Sequence, residues 1–207
     1  MAENMQQYEY YYQDANFYCY PDTNVLINKF NIKNNEELDE IERGITFTKT
    51  AVYMQNPIKG NFDFKHFCAI HRFLFEDIYE WAGKPRTSGF MSKGGTVFAR
   101  SEFIESMFDE YYEKLEKANF LRGLDKEQFC EQLAYFMAEV NTIHPFREGN
   151  GRTARLYWGQ LAKESGYQIR FPLVDPDELI LADVLAYQRN YKLSIDILNQ
   201  IITPFES

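Results

Sequence analysis

Cysteine is scarce in this 207-residue chain, and the three that occur, Cys19, Cys68 and Cys130, are far apart. No CxxC pair or His cluster accompanies them, which argues against both a disulfide framework and a zinc site of the usual spacing. We therefore expect reduced thiols that pack in the protein core.

Long apolar runs and an excess of positive charge are missing as well. No stretch reaches the about 18 residues of a membrane-spanning helix, and the opening MAENMQQYEYYYQD lacks the regions of a signal peptide. The net charge is −9, from 22 basic and 31 acidic residues, which argues against a surface built for nucleic-acid backbones. We expect neither nucleic acid nor membrane as a direct partner, although a secretion route that reads other signals would leave no such trace.

The two common nucleotide signatures, GxxxxGK(S/T) and GxGxxG, are also absent, so neither a P-loop nor a Rossmann site is available. What the chain does have is a composition that is 45% apolar and 17% aromatic. Such a composition is typical of a globular protein with a packed core.

Apolar residues recur at intervals of three and four along most of the chain, the period of helices that bury one face. The pattern predicts an all-α fold. The first helix should start near Asn35, and the next three should run over Asp63 to Glu80, Glu102 to Lys117 and Asp125 to Ile143. A fifth should begin near Arg152, and one or two more should follow Asp177. Asn34 or Asn35 is suited to cap the first of these helices. Pro145 and Gly166 are suited to end the fourth and fifth.

Two segments depart from this period. Residues 1–20 are rich in tyrosine and show no clean period, so we expect an N-terminal arm that lies on a single domain of residues 21–207. Residues 84–101, within Ala82 to Ser101, hold several glycines and short β-prone pieces around Gly94 and Gly95. This segment predicts a β-hairpin flap on the helical body.

The segment HPFREGNGRTAR, from His144 to Arg155, joins two predicted helices. Gly149, Asn150 and Gly151 allow a tight turn that aims backbone N–H groups inward, and the next helix adds the positive end of its dipole. Arg152 and Arg155 lie three apart and can fork onto phosphate oxygens. The segment therefore predicts a phosphate cradle in an otherwise acidic protein.

Two further side chains complete a reaction site. Glu148 is a hard oxygen ligand of the kind that holds Mg²⁺ bridging phosphates. At a helix end, a neutral His144 could accept a proton from an incoming hydroxyl. Together they indicate phosphoryl or nucleotidyl transfer by positioning and charge neutralisation. His66 and His71 have no acidic or cysteine neighbours at ligand spacing, and we expect them to be structural.

At these residues the chain resembles the Fic family, whose motif HxFx(D/E)GNGRxxR is filled at every defining position. The resemblance continues in FKHFCAIHRFLFEDIYEWAGKPR, in the flap and in LAKESGYQIRF, as in small toxin-type bacterial members. It implies a protein adenylyltransferase (AMPylator) that uses ATP and Mg²⁺ to modify a Tyr, Ser or Thr hydroxyl in a bacterial cytoplasm. DNA gyrase and topoisomerase IV are the leading targets by analogy.

The resemblance also implies residue roles. His144 would be the base, Glu148 the metal ligand and Phe146 the anchor of the loop in the core. The phosphates would be held by Gly149, Asn150, Gly151, Arg152 and Arg155. The flap would hold the target by strand-like pairing through Lys93, Gly94, Gly95, Thr96, Val97 and Phe98.

Regulation and two alternatives remain open at this point. Family members are commonly restrained by a helix carrying (S/T)xxxE(G/N), whose Glu would meet Arg155, but no such helix is visible in this sequence. We therefore expect a separate small antitoxin to supply it. The alternatives are a Fic-like transferase that uses UTP, GTP or a phosphocholine conjugate, and an inactive module that only binds a nucleotide or partner.

Overall fold

The structure is a computed structural model that describes residues 10–12, 15–93 and 96–205. In these ranges helices dominate, as the apolar period predicts, and the strands are short. The helices are α1 Ala15–Tyr18, α2 Asn35–Gln55, α3 Phe64–Phe75, α4 Ile104–Lys117, α5 Lys126–Ile143, α6 Asn150–Glu164, α7 Pro176–Tyr187 and α8 Lys192–Ile201. The strands are β1 Tyr10–Tyr12, β2 Met91–Lys93, β3 Thr96–Val97, β4 Tyr167–Ile169 and β5 Ile202–Pro204.

The helices begin where short polar side chains can satisfy their first backbone amides. Asn34 caps α2 by accepting a hydrogen bond from the Glu37 amide, Asp63 caps α3, and Asp125 caps α5. Each cap offsets donors that a helix leaves unpaired in its first turn. The prediction that Asn34 or Asn35 starts the first long helix is therefore confirmed, with Asn34 as the cap.

The predicted helix from Asp63 to Glu80 is too long, because α3 ends at Phe75. The chain then turns, and the amides of both Ile78 and Tyr79 donate to the Phe75 carbonyl. Ile78 and Tyr79 are buried all the same. They continue the apolar period because the turn packs inward, and not because the helix continues.

The hydrophobic core lies between α3, α5 and α6, with α4 and the two closing helices α7 and α8 packed around α5. Phe67, Leu133 and Tyr157, one from each central helix, have no exposed side-chain surface. Tyr18 and Cys19 also lie in this core, so part of the predicted arm of residues 1–20 packs inside the fold. Most of that arm lies outside the described residues.

Two small antiparallel sheets complete the fold. The first has the order β1-β2-β3, and its β2-β3 pair is the hairpin that the flap segment predicts; Gly94 and Gly95 lie outside the described residues. The second pairs β4 with β5, which joins the end of α6 to the end of α8. The helical period does not predict this second pair. Among the described helices, none has both the length and the apolar character that crossing a membrane requires.

Candidate active site

The predicted reaction segment forms the loop between α5 and α6. α5 ends at Ile143, and His144 follows in the left-handed region at φ 48° and ψ 62°. Gly149 has φ 83° and immediately precedes α6. The new helix starts at Asn150, two residues before the predicted Arg152, so the amides of Asn150 and Gly151 belong to its first turn. Amides in that position point toward an anion at the helix N-terminus.

The loop is held from inside by Asn150. Its side-chain oxygen accepts a hydrogen bond from the Phe146 amide at 2.9 Å, and its side-chain nitrogen donates to the Phe146 carbonyl at 2.8 Å. Phe146 itself is fully buried and stacks on His71 with ring centroids 3.8 Å apart. Phe146 thus lies in the core as the resemblance implies, and Asn150 fixes the loop through its side chain.

His71 supports the same loop from below, a function that a lone histidine on an apolar stripe does not reveal in the sequence. Its Nδ1 accepts a hydrogen bond from the Gly83 amide at 2.8 Å, so Nε2 carries the proton and donates to the Glu148 carbonyl at 2.9 Å. Burial lowers the pKa of His71 to about 3, which keeps the ring neutral.

His144 lies at the top of the loop, where it is 7% exposed. The ring of Phe98, which directly follows β3 of the flap, stacks on the imidazole at 3.8 Å. Burial and, to a smaller extent, the positive charges of Arg86 and Lys93 lower the pKa of His144 to about 3. A neutral imidazole has a lone pair for a proton, so its protonation state suits a general base.

Arg86 is a residue of this site that the sequence pattern does not single out. Although charged, it is 2% exposed. Its Nε donates to the His144 carbonyl at 2.9 Å, and its other nitrogens donate to the carbonyls of Ser88 and Ala99. Arg86 therefore ties the backbone of His144 to both ends of the flap.

Glu148 lies just before α6, Arg152 lies in its first turn and Arg155 in its second. The Oε1 atom of Glu148 accepts a hydrogen bond from the Gly149 amide at 2.8 Å and lies 3.5 Å from a terminal nitrogen of Arg152. Arg152 also pairs with Glu42 of α2 at 2.5 Å. Burial acts to lower the pKa of Arg152, but Glu42 and Glu148 outweigh it and raise that pKa.

A cavity of about 950 Å³ lies above this loop, a volume at the upper end of the range of small-molecule sites. The loop and α6 contribute His144, Glu148, Gly149, Gly151, Arg152 and Arg155 to its wall, and the flap contributes Lys93, Thr96 and Phe98. The structure thus brings most of the predicted base, phosphate and flap residues of the described ranges to one cavity, whereas Asn150 and Val97 are not part of its wall. Apolar side chains such as Met54, Ile169 and Leu179 also line it.

The flap residues differ in what they contact. Thr96 is 6% exposed and faces the cavity, whereas Val97 is 42% exposed and faces outward. Burial lowers the pKa of Lys93, against the attraction of Glu148 and Asp183. β2 lies between β1 and β3, so β3 is one of the two edge strands of this sheet within the described residues.

The donor set at the loop is compatible with magnesium. Among the described residues there is no group of three or more His, Cys, Asp or Glu side chains that could hold a metal by themselves. Magnesium in phosphate-transferring sites is commonly held by one or two carboxylates together with substrate phosphates. The carboxylate of Glu148, partly exposed in the cavity beside the helix N-terminus, fits that arrangement.

Comparison with known proteins places this site in a family. The sequence profile of the Fic/DOC family matches residues 61–161. The protein adenylyltransferase VbhT of Bartonella schoenbuchensis is 37% identical over 91% of this chain, which spans 39% of that longer protein. The probable protein adenylyltransferase y4lH of Sinorhizobium fredii is 36% identical, over 82% of this chain and 86% of its own length.

The fold agrees with this sequence similarity. A crystal structure of BepC, a VirB-translocated effector protein of Bartonella tribocorum with bound AMPPNP, superposes with a TM-score of 0.89. The identity is 26%, and the match covers 94% of this chain and 100% of the other. The chain described here belongs to the Fic/DOC family.

Proposed function

We propose that this chain is a protein adenylyltransferase that transfers AMP from ATP to a hydroxyl side chain of another protein. The observation that carries the proposal is the position of a buried, neutral His144 beside the N-terminus of α6, with both on the wall of one cavity. The relatives named above as protein adenylyltransferases, and the AMPPNP bound to BepC, support ATP as the donor.

In the proposed reaction, the oxygen of a Tyr, Ser or Thr side chain attacks the α-phosphorus of ATP. His144 takes the hydroxyl proton, the new oxygen–phosphorus bond forms, and the bond from the α-phosphorus to the bridging oxygen of pyrophosphate breaks. AMP thus remains on the protein and pyrophosphate leaves. Such a transfer depends on positioning and on neutralising phosphate charge.

The phosphates are assigned to the α6 end of the cavity. The amides of Asn150 and Gly151 would donate to phosphate oxygens, as would the amide of Gly149 on leaving the Glu148 carboxylate. Arg155 would add charge further along the nucleotide. Arg152 would contribute charge while it remains paired with Glu42. Glu148 would hold Mg²⁺, whose chemistry there would be further neutralisation of phosphate charge.

The flap is assigned to the target protein. We expect Lys93 to Phe98 to hold the modified segment in an extended form, since a short exposed edge such as β3 can accept a further strand. By analogy with toxin-type members, type II topoisomerase subunits are the leading target, met in a bacterial cytoplasm. The description of BepC as a translocated effector supports secretion as the alternative setting.

Control is assigned to a second protein. In the 207 residues, Glu is followed by Gly or Asn only at Glu3 and Glu148. Glu3 has no residue four positions before it, and Glu148 belongs to the reaction loop, so neither provides a (S/T)xxxE(G/N) helix. We propose that a small antitoxin supplies this helix and sets its Glu against Arg155. A carboxylate–arginine pair there would compete with a phosphate for the same fork.

The test is incubation of the purified chain with labelled ATP and a bacterial lysate, beside its His144→Ala variant. AMP transfer predicts labelled protein with the wild-type chain and none with His144→Ala. Labelling from GTP or UTP but not from ATP would favour the other-donor alternative. Retained ATP binding without any labelled protein would favour the inactive module.

A further inference from the structure

Glu42 is a buried carboxylate that the assigned reaction does not use. It lies on α2, and its side chain is 9% exposed. One oxygen accepts a hydrogen bond from the hydroxyl of Tyr79, and the other lies 2.5 Å from a terminal nitrogen of Arg152. A charged group at this depth is stable only with such partners.

The partner, Arg152, stands between two carboxylates. The nitrogen that meets Glu42 at 2.5 Å is also 3.5 Å from Oε1 of Glu148. Further contacts hold the guanidinium on the side of α2: Thr46 accepts a hydrogen bond at 3.4 Å, and the Phe75 ring lies 4.8 Å below the guanidinium carbon. The closer pairing is therefore with Glu42, and Glu148 is the weaker competitor.

We propose that Glu42 is a positioning residue, which holds Arg152 toward α2 so that Glu148 stays available to the divalent cation of an incoming nucleotide. The inference rests on the proposed function, in which Glu148 is the metal ligand. Glu148 and Arg152 are four residues apart, a spacing that lets two side chains meet on a helix. Without Glu42, the nearest carboxylate for Arg152 is Glu148, and a direct pair would compete with the cation.

This arrangement predicts opposite effects on two kinds of nucleotide binding. Glu42→Gln removes one negative charge near the cradle, so metal-free ADP should bind as well as before or more tightly. Mg²⁺-dependent binding should weaken, since Arg152 turns to Glu148. A purely structural role of Glu42 would weaken both kinds of binding together.

The experiment is calorimetric titration of ADP into the wild-type chain and into Glu42→Gln, with Mg²⁺ and with EDTA. We expect Mg²⁺ to tighten ADP binding to the wild-type chain, and we call the ratio of the two affinities the Mg²⁺ gain. In Glu42→Gln this gain should shrink by roughly tenfold or more, which is the usual effect of losing a residue that positions a metal ligand. Glu40→Gln, an exposed position on the same helix, is the matched control and should keep the gain.

An unchanged gain in Glu42→Gln, or an equal loss with and without Mg²⁺, would overturn the inference while leaving the proposed function intact. A wild-type chain that binds no ADP under either condition would overturn both. Tyr79→Phe removes the hydroxyl that donates to Glu42 but keeps the ring that stacks on Trp81 at 4.5 Å. Tyr79→Phe should also reduce the gain, but by less than Glu42→Gln does. If Glu42→Gln unfolds below the assay temperature, the result with Tyr79→Phe decides the question.

Discussion

The imidazole of His144 lies against the ring of Phe98, with centroids 3.8 Å apart and planes 14° from parallel. This contact joins the proposed base to the segment that the sequence assigns to target docking. Phe98 is 6% exposed, so its first effect is to cover the histidine and fix the plane of its ring. The flap thus contributes to the reaction site as well as to its proposed docking edge.

Phe98→Ala should lower the rate of AMP transfer by about tenfold to 100-fold, since a loosened base loses its alignment with the hydroxyl. Removal of the ring also exposes His144, so its pKa should rise from about 3 toward its ordinary value. As the pH is lowered, the rate of AMP transfer should therefore begin to decline at a higher pH in Phe98→Ala than in the wild-type chain. Labelling rates between pH 5 and 8 measure both effects. Phe103→Ala, at an exposed phenylalanine beyond the flap, is the control, and a Phe98→Ala profile identical to it would refute the role of the stack.

The two glycines of the cradle should differ in tolerance. A Cβ at Gly149 would lie 2.3 Å from the Phe75 ring at a φ of 83°, whereas the nearest atom to a Cβ at Gly151 is 3.7 Å away. Gly149→Ala should therefore cost at least about 1–2 kcal/mol of unfolding free energy from its left-handed backbone alone, and should weaken ADP binding. Gly151→Ala should leave the unfolding free energy within about 1 kcal/mol of wild type. Urea unfolding of both variants checks this, and equal losses would contradict it.

The site shows which residues a sequence can and cannot predict. His144 to Arg155 is a continuous segment, so its spacing alone puts the proposed base and the proposed cradle in one loop and predicts the start of α6 to within two residues. Glu42 is 110 residues from Arg152, and no local period connects them. Arg86 and His71 act through backbone carbonyls of the loop, and that kind of contact leaves no pattern of residue types.

The same distinction holds for the fold. Helix starts at Asn34 and Asp125 were predictable because a cap is a local hydrogen bond. The end of α3 was not, since Ile78 and Tyr79 are buried through tertiary packing of a turn. The pairing of β4 with β5 joins residues such as Gln168 and Thr203, whose partnership arises only after the helices have packed.

Acid should destabilise the folded chain through its buried histidines. The pKa values of His71 and His144 are about 3 in the folded protein, below the ordinary 6.5. The unfolded chain therefore binds more protons between these values, so the stabilisation is complete above pH 6.5 and is lost as the pH falls below it. From pH 7.5 to 5.5 the free energy of unfolding should drop by on the order of 2–3 kcal/mol for the two groups. Urea unfolding at both values tests this, and an equal or greater stability at pH 5.5 would contradict it.

An unrestrained transferase should harm the cell that makes it. Expression of the wild-type chain in bacteria should slow growth, whereas His144→Ala should not, because the variant lacks the base while its fold remains. Co-expression of a small protein that sets a carboxylate against Arg155 should restore growth. Equal growth with wild type and His144→Ala, together with equally low labelling in both lysates, would indicate an internal restraint in the chain.

The central claim is that the transferred group is AMP and that His144 drives its transfer. The most direct measurement compares ATP labelled at the α-phosphate with ATP labelled at the γ-phosphate, each incubated with the chain and a bacterial lysate, followed by mass spectrometry of the labelled protein. The account predicts label from the α-phosphate only, a target mass increased by one AMP, and a loss of roughly 10²-fold or more in His144→Ala. Label from the γ-phosphate, or undiminished α-label in His144→Ala, would contradict it.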